Sequence, residues 1–199
     1  MIMDQRISKV HRKTGETDIS IEFNIDGSGK AEISSGIGFF DHMMNAFTRH
    51  GLFDMKLMAE GDLDVDGHHT VEDTGIVLGQ AIKEAAGDKK GIKRYGFFVL
   101  PMDEALILCA VDLCGRPYFV MEGAQFNAPM VGDFDTELVR EFFYSVSYSA
   151  AMNLHFRILS GSNAHHIIEG MFKCFSKALD MATQKEERIT DVLSTKGSL

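Results

Sequence analysis

Two short stretches hold four of the chain's eight histidines: His68-His69-Thr70-Val71-Glu72 and His165-His166-Ile167-Ile168-Glu169. In each, a glutamate follows the second histidine by three residues. On a helix that glutamate lies one turn from both histidines, so three metal-competent side chains project from a single turn. Adjacent histidines diverge by about 100° around a helix of about 3.6 residues per turn, which keeps them from chelating one ion from the same side. The doubled pattern therefore points to two metal ions. Imidazole and carboxylate donors without thiolate suit Mn, Fe, Zn, Co or Ni better than a structural zinc site. Asp66-Gly67 precedes the first pair and Ser162-Asn163 the second, both of them N-cap contexts. The positive end of a helix dipole disfavours imidazolium and keeps the imidazoles neutral for a metal.

Periodicity shows which elements carry these motifs. Residues 4–34 read as strands, with Ile19, Ile21, Phe23 and Ile25 alternating with polar residues and a turn at Asp26-Gly27-Ser28-Gly29. A helix follows over 37–49, with Phe40, Met44 and Phe47 on its buried face. His42 lies beside that stripe, ahead of the first motif, and is a further ligand candidate. Gly51 is expected to close the helix in a left-handed conformation. Residues 52–60 form a strand, and Asp62, Asp64 and Asp66 read as a solvated strand edge. The first motif helix spans 68–86 and a linker spans 87–91. Strands at 95–100, 105–111 and 118–121, a loop with Pro129 and Gly132, a helix over 136–150, a strand over 154–159 and the second motif helix over 164–181 complete the chain. Ile168, Phe175 and Leu179 fall where Val71, Leu78 and Ile82 fell, so the chain is an internal duplication. Its parts are a first repeat (1–90), a second repeat (91–185) packed with it as one domain, and a polar tail (186–199) that reads as flexible. Strand-rich layers backed by helices give an α+β class.

The composition excludes several functions. A net charge of −9 with no basic run makes nucleic acid and anionic membrane poor partners. No apolar stretch approaches the roughly 20 residues of a membrane span, and the N-terminus has no apolar signal segment. Cys109, Cys114 and Cys174 are odd in number and sit among apolar neighbours, which reads as reduced, buried thiols in a cytosolic protein. A Cys109/Cys114 metal pair would lack the second pair that zinc sites use. The metalloprotease, carboxylate di-iron, nucleotide-loop and nucleophile-elbow patterns are absent. Glu16, in the turn Lys13-Thr14-Gly15-Glu16-Thr17, reads by itself as a solvated charge. Spacing leads to a duplicated metal protein, an enzyme by expectation, and leaves the reaction open.

Resemblance goes further. Phe39-Phe40-Asp41-His42-Met43, Asp66-Gly67-His68-His69-Thr70-Val71-Glu72-Asp73, Pro101-Met102-Asp103-Glu104-Ala105, Gly115-Arg116-Pro117-Tyr118 and Asn163-Ala164-His165-His166-Ile167-Ile168-Glu169 resemble the imidazoleglycerol-phosphate dehydratase family. The likeness runs from about residue 4 to Ser194-Thr195-Lys196-Gly197, in the monofunctional form without a phosphatase segment. It implies a duplicated α/β sandwich of two four-stranded sheets backed by helices. It implies a cytoplasmic lyase that dehydrates imidazole glycerol phosphate in histidine biosynthesis. Two Mn²⁺ ions would lie between subunits of an assembly of 24 chains. The implied ligands are His42, His68, His69, Glu72, His165, His166 and Glu169. Glu141 stands where the family can place a further histidine, and is kept as a ligand because a carboxylate also binds Mn²⁺. The implied substrate contacts are Glu16, His50, Arg94, Arg116, Lys173, Ser194 and Lys196. A phosphate on an acidic chain needs such a local basic pocket, and Lys196 could serve only if the tail orders. Metals holding the imidazole as imidazolate would help expel the hydroxyl, and Glu16 or Glu169 would remove the carbon-bound proton. A di-metal hydrolase or a non-catalytic metal-binding shell protein are the other classes such motifs could serve. The first would attack an ester with water; the second has no use for Arg94, Arg116 and Lys173 near a metal.

Overall fold

Each half of the chain builds a four-stranded sheet with the same connectivity. The computed structural model describes residues 6–199. The stretch 1–5, read above for a signal segment and for the opening of the first strand, lies outside the described residues. In the first half, β1 (Ile7–Lys13), β2 (Thr17–Asn24), β3 (Ala31–Ser34) and β4 (Asp54–Gly61) pair in the order β1-β2-β4-β3. The second half supplies β5 (Tyr95–Met102), β6 (Ala105–Asp112), β7 (Tyr118–Glu122), the short ribbon β8 (Met130–Val131) with β9 (Phe134–Asp135), and β10 (Asn153–Ser160). Its sheet order is β5-β6-β10-β7.

The β3–β4 and β7–β10 pairs are parallel. Parallel neighbours need a crossover, which α1 (Gly38–Gly51) and α3 (Leu138–Ala150) provide. The motif helices α2 (His68–Ala86) and α4 (Ala164–Thr183) follow the last strand of each sheet.

Alternation sets the faces. On β2, Ile19, Ile21 and Phe23 are buried while Ser20 and Glu22 face solvent. The helices pack on the inner faces, α2 on β1 and β2, α4 on β5 and β6, and they also pair across the repeats as α1 with α4 and α2 with α3. They thus occupy the middle of the sandwich. Gly75 and Gly79 permit the α2–α3 approach, because a Cβ on either would meet Phe142 O at 2.7 Å or Val146 O at 2.6 Å. Aromatic rings lock α1 to α4, with Phe40 6.5 Å from Phe172 and Phe47 5.4 Å from Phe175, and Phe142 of α3 joins them, 5.3 Å from Phe40 and 5.1 Å from Phe172. Each such buried side chain contributes about 1.5–3 kcal/mol relative to exposure.

Three local expectations change. Helix α1 runs through Gly51, and Leu52 takes the left-handed conformation (φ 58°). Gly51 is small for another reason: the Phe53 ring lies where its Cβ would be. The loop after β7 is tightened by the β8–β9 ribbon, which turns at Gly132 (φ 62°). The tail is not loose. Val192 bridges to Lys90, and Gly91 N–H donates to Asp191 O at 3.1 Å, so the linker's backbone groups find partners there. All three cysteines are buried and free; burial pushes the Cys109 thiol well up and the Cys174 thiol to about 12. Among the described residues, no helix is long and apolar enough to cross a membrane.

Candidate metal centre and active site

The four helix N-termini meet at one end of the sandwich. A Cβ on Gly67, before α2, would touch Ile37 at the start of α1 and Leu138 at the start of α3. The Phe39 ring is edge-on to His165 of α4, with centroids 5.1 Å apart. Each terminus brings N–H groups that have no partner within the helix and a partial positive charge, favourable to anions and unfavourable to imidazolium.

The caps aim the motifs. Asn163 caps α4 as expected, its side chain accepting from His165 N at 2.9 Å and His166 N at 3.4 Å. Gly67 has no side chain to cap α2; Asp66 Oδ1 instead accepts from His68 N at 2.7 Å. Ile37 offers α1 no cap either. Asp133, in the β8–β9 turn of the other repeat, accepts from Gly38 N at 2.9 Å and Phe39 N at 3.2 Å.

These helices bring His42, His165 and Glu169 together, with one donor atom of each within 4.8 Å of the others. Glu169 Oε2 is 3.0 Å from His165 Nε2 and 3.3 Å from His42 Nε2. Its other oxygen pairs with Lys173 Nζ at 2.5 Å. Glu169 is only 7% exposed. Burial pushes its carboxyl up, but Lys173, His165 and His42 together hold it below the ordinary range. Two imidazoles and a carboxylate on a preorganised set of helices fit a divalent transition metal. His50 and Lys173 line the adjoining cleft of about 440 Å³ with His42, Arg49 and Glu169. Burial, then the Lys173 charge, lowers the His50 imidazole pKa.

The histidine pairs splay as helix geometry requires. His68 and His69 are 6.1 Å apart at 81°, and His165 and His166 are 6.2 Å apart at 79°. His68 Nε2 faces Glu72 at 3.6 Å, whereas His69 turns to Asp62 (Nδ1, 3.0 Å) and Glu16 (Nε2, 3.9 Å). His166 turns to Glu104 (Nδ1, 2.8 Å) and Asp103 (Nε2, 3.6 Å). Hydrogen bonding to Asp62 raises the His69 pKa, and hydrogen bonding to Glu104 raises that of His166. The His166 bond and those from Asn163 N and Ser162 N lower the Glu104 carboxyl to about 2. Thr17 Oγ1 donates to Asp73 Oδ2 at 2.5 Å and Arg12 pairs with the same carboxylate, tying the Glu16 turn to α2. Glu141 sits in the first turn of α3. Among the described residues, the three-donor cluster is His42, His165 and Glu169, without Glu141.

Arg94, Arg116, Ser194 and Lys196 line a different cleft, of about 780 Å³, with the tail as one wall. Arg94 is committed there: Nε and Nη2 donate to Asp112 at 2.7 and 3.1 Å, and Nη1 to Leu193 O at 2.6 Å. Arg94 N also donates to Ala182 O, at the far end of α4. Helix rise between Glu169 and Ala182 separates this cleft from the triad by about 20 Å within one chain.

Asp62, Asp73, Asp103, Glu104 and Asp133 had no role assigned from sequence. Asp62 read as a solvated edge, yet a carboxylate seven positions before His69 was a usable signal. Nothing local to Asp133 points to Gly38.

A duplicated α+β sandwich that gathers imidazoles and carboxylates where four helices begin is an enzyme scaffold, and its relatives specify which. The imidazoleglycerol-phosphate dehydratase family model matches residues 35–179. The imidazoleglycerol-phosphate dehydratase of Acetivibrio thermocellus is 59% identical over 197 residues, covering 99% of this chain and 100% of that protein. The crystal structure of the Staphylococcus aureus enzyme superposes with a TM-score of 0.82 at 39% identity, over 90% of this chain and 99% of that one. For the Pyrococcus furiosus enzyme the TM-score is 0.83 at 37% identity, over 96% and 100%. The chain belongs to the imidazoleglycerol-phosphate dehydratase family and is a dehydratase of histidine biosynthesis.

Proposed function

We propose that the chain converts imidazole glycerol phosphate to imidazole acetol phosphate and water with two Mn²⁺ ions, held by His42, His68, His69, Glu72, Glu141, His165, His166 and Glu169. The observation that carries this is the triad His42–His165–Glu169, with donor atoms within 4.8 Å of one another. When bound, the ions would supply Lewis acidity that stabilises the substrate imidazole as imidazolate.

The chain's own groups do the rest. Lys173 keeps Glu169 ionised in its buried place, which suits a ligand. Glu16 suits the base that takes the carbon-bound proton: its side chain is 56% exposed and its carboxylate faces His69 Nε2. His50 and Lys173 border the same cleft as the triad and are assigned to substrate. Arg116, Lys196 and Ser194 are assigned to the phosphate, with Arg94 anchoring the tail that carries two of them.

The roughly 20 Å along α4 between triad and basic cleft is more than a three-carbon phosphate ester can bridge. It supports active sites shared between copies, each copy giving its metal cluster to one site and its basic cleft to another. An assembly of 24 chains in the cytoplasm is the corresponding partner reading. The test is turnover of imidazole glycerol phosphate before and after EDTA, with Mn²⁺ restored. Ketone product that disappears on chelation and returns with Mn²⁺ supports the reading; no product from a folded, Mn²⁺-loaded assembly refutes it. Glu16→Gln should bind Mn²⁺ normally and lose turnover.

A further inference from the structure

Each motif contains one histidine whose Nδ1 meets a carboxylate from outside the motif. His69 Nδ1 lies 3.0 Å from Asp62 Oδ2, and His166 Nδ1 lies 2.8 Å from Glu104 Oε2. His68 and His165 differ, since it is their Nε2 atoms that meet the glutamate of their own motif. We propose that Asp62 and Glu104 are positioning residues that keep the proton of His69 and His166 on Nδ1, leaving each Nε2 free to ligate. The inference rests on the metal-centre reading above.

The warrant is chemical first. An ionised carboxylate only accepts hydrogen bonds, so the nitrogen facing it must carry hydrogen. A neutral imidazole protonated on Nδ1 presents its lone pair at Nε2, and outer carboxylates set ring orientation in this way for metal-bound histidines. Glu104 is itself fixed, because Oε1 accepts from Asn163 N at 2.8 Å and Ser162 N at 3.1 Å in the loop that opens α4.

The second warrant is that the two contacts are not copies of one another. Asp62 follows Gly61, and the matching Gly161, whose Cβ would likewise meet the residue after the histidine pair and the first residue of the neighbouring strand, is followed by Ser162, which carries no carboxylate. Glu104 immediately precedes β6, the position that Glu16 holds before β2. The same Nδ1 contact is therefore made from two non-equivalent points of a duplicated fold. Descent from one ancestral repeat does not account for that; a shared demand on the ring does.

The test is Mn²⁺ affinity of the full chain, read from the electron paramagnetic resonance signal of free Mn²⁺, beside thermal unfolding of the metal-free protein. In Glu104→Gln the amide oxygen can keep the loop contacts while the amide nitrogen faces Nδ1, which then must accept. The proton moves to Nε2 and blocks ligation. Affinity of one site should fall by about 10–100-fold, with the metal-free unfolding midpoint unchanged. Asp62→Asn should do the same at the site that uses His69, independently of the first variant. Parent-like affinity in both variants, within about twofold, overturns the proposal. So does a loss of affinity matched by a comparable loss of metal-free stability, which would mark the contacts as structural. A parent chain that binds no Mn²⁺ would instead remove the metal-centre reading, and this inference with it.

Discussion

Replacing Asp133 by alanine tests whether a residue of the second repeat holds the helix that presents His42. Its carboxylate serves two N–H groups at the start of α1, Gly38 at 2.9 Å and Phe39 at 3.2 Å, where Ile37 supplies no side-chain cap. Losing a capping side chain costs about 1 kcal/mol, within a range of about 0.5–2. The negative charge at a positive helix end adds about 0.3–1 kcal/mol, toward the lower value because Asp133 is exposed and screened. At about 2–4 °C per kcal/mol for a chain of this size, Asp133→Ala should melt about 3–6 °C lower at neutral pH. Asp133→Asn keeps an acceptor and should lose about 1–2 °C. The pH dependence has a definite sign. The hydrogen bond from Gly38 N–H is the largest influence on this carboxyl and helps hold its pKa below the ordinary value. Its stabilisation is therefore present above the unfolded carboxylate pKa of about 3.9 and is lost as pH falls through the lower folded value. Thermal unfolding of the metal-free protein, followed by circular dichroism at neutral and acidic pH, reads both. An Asp133→Ala midpoint within about 1 °C of the parent at pH 7 would refute the cap, as would a deficit that does not shrink in acid.

Two further outcomes follow from the same geometry. Lys173→Met removes the partner 2.5 Å from Glu169, so burial acts with less opposition and the carboxyl pKa rises. The acid limb of Mn²⁺ binding should then move to higher pH, and an unmoved limb would count against the ion pair. Gly79→Ala places a Cβ 2.6 Å from Val146 O and 2.9 Å from Ala150 N, backbone atoms that cannot step aside. Overpacking of this kind costs about 1–3 kcal/mol, or about 2–12 °C in melting temperature; parent-like melting would show that α2 and α3 can slide apart.

Much of the fold was legible because the signals are local. Alternation at Ile19, Ile21 and Phe23 marks a half-buried strand whatever lies beneath it. The turn residues and the repeated helix faces gave the duplication. The features that the structure changes depend on what packs beside them rather than on local pattern. Gly51 stays helical and is small because the Phe53 ring claims the space beside it, while the left-handed place falls to Leu52. The polar tail looked free until the linker at Lys90 and Gly91 supplied its backbone partners. Asp62 reads as solvated from its alternation with Asp64 and Asp66, and the signal against that reading, its place seven positions before His69, takes effect only once α2 turns the imidazole back onto it.

By itself the sequence determined the donor types, their place in the first turn or two of helices, and the divergence of adjacent histidines. Those follow from residue identity and from helix geometry, which need no partner. Tertiary structure alone decided which donors meet. His42 is nearer in sequence to Glu72, yet it joins Glu169, 127 residues away, because α1 pairs with α4 and α2 with α3 across the repeats. Tertiary structure also put the Arg94 cleft at the other end of α4, whereas Lys173 meets Glu169 through the i,i+4 spacing of one helix. A hydrophobic stripe records that a helix face is buried, but not which neighbour covers it; that choice rests on complementary shapes such as Gly75 and Gly79 against the α3 backbone.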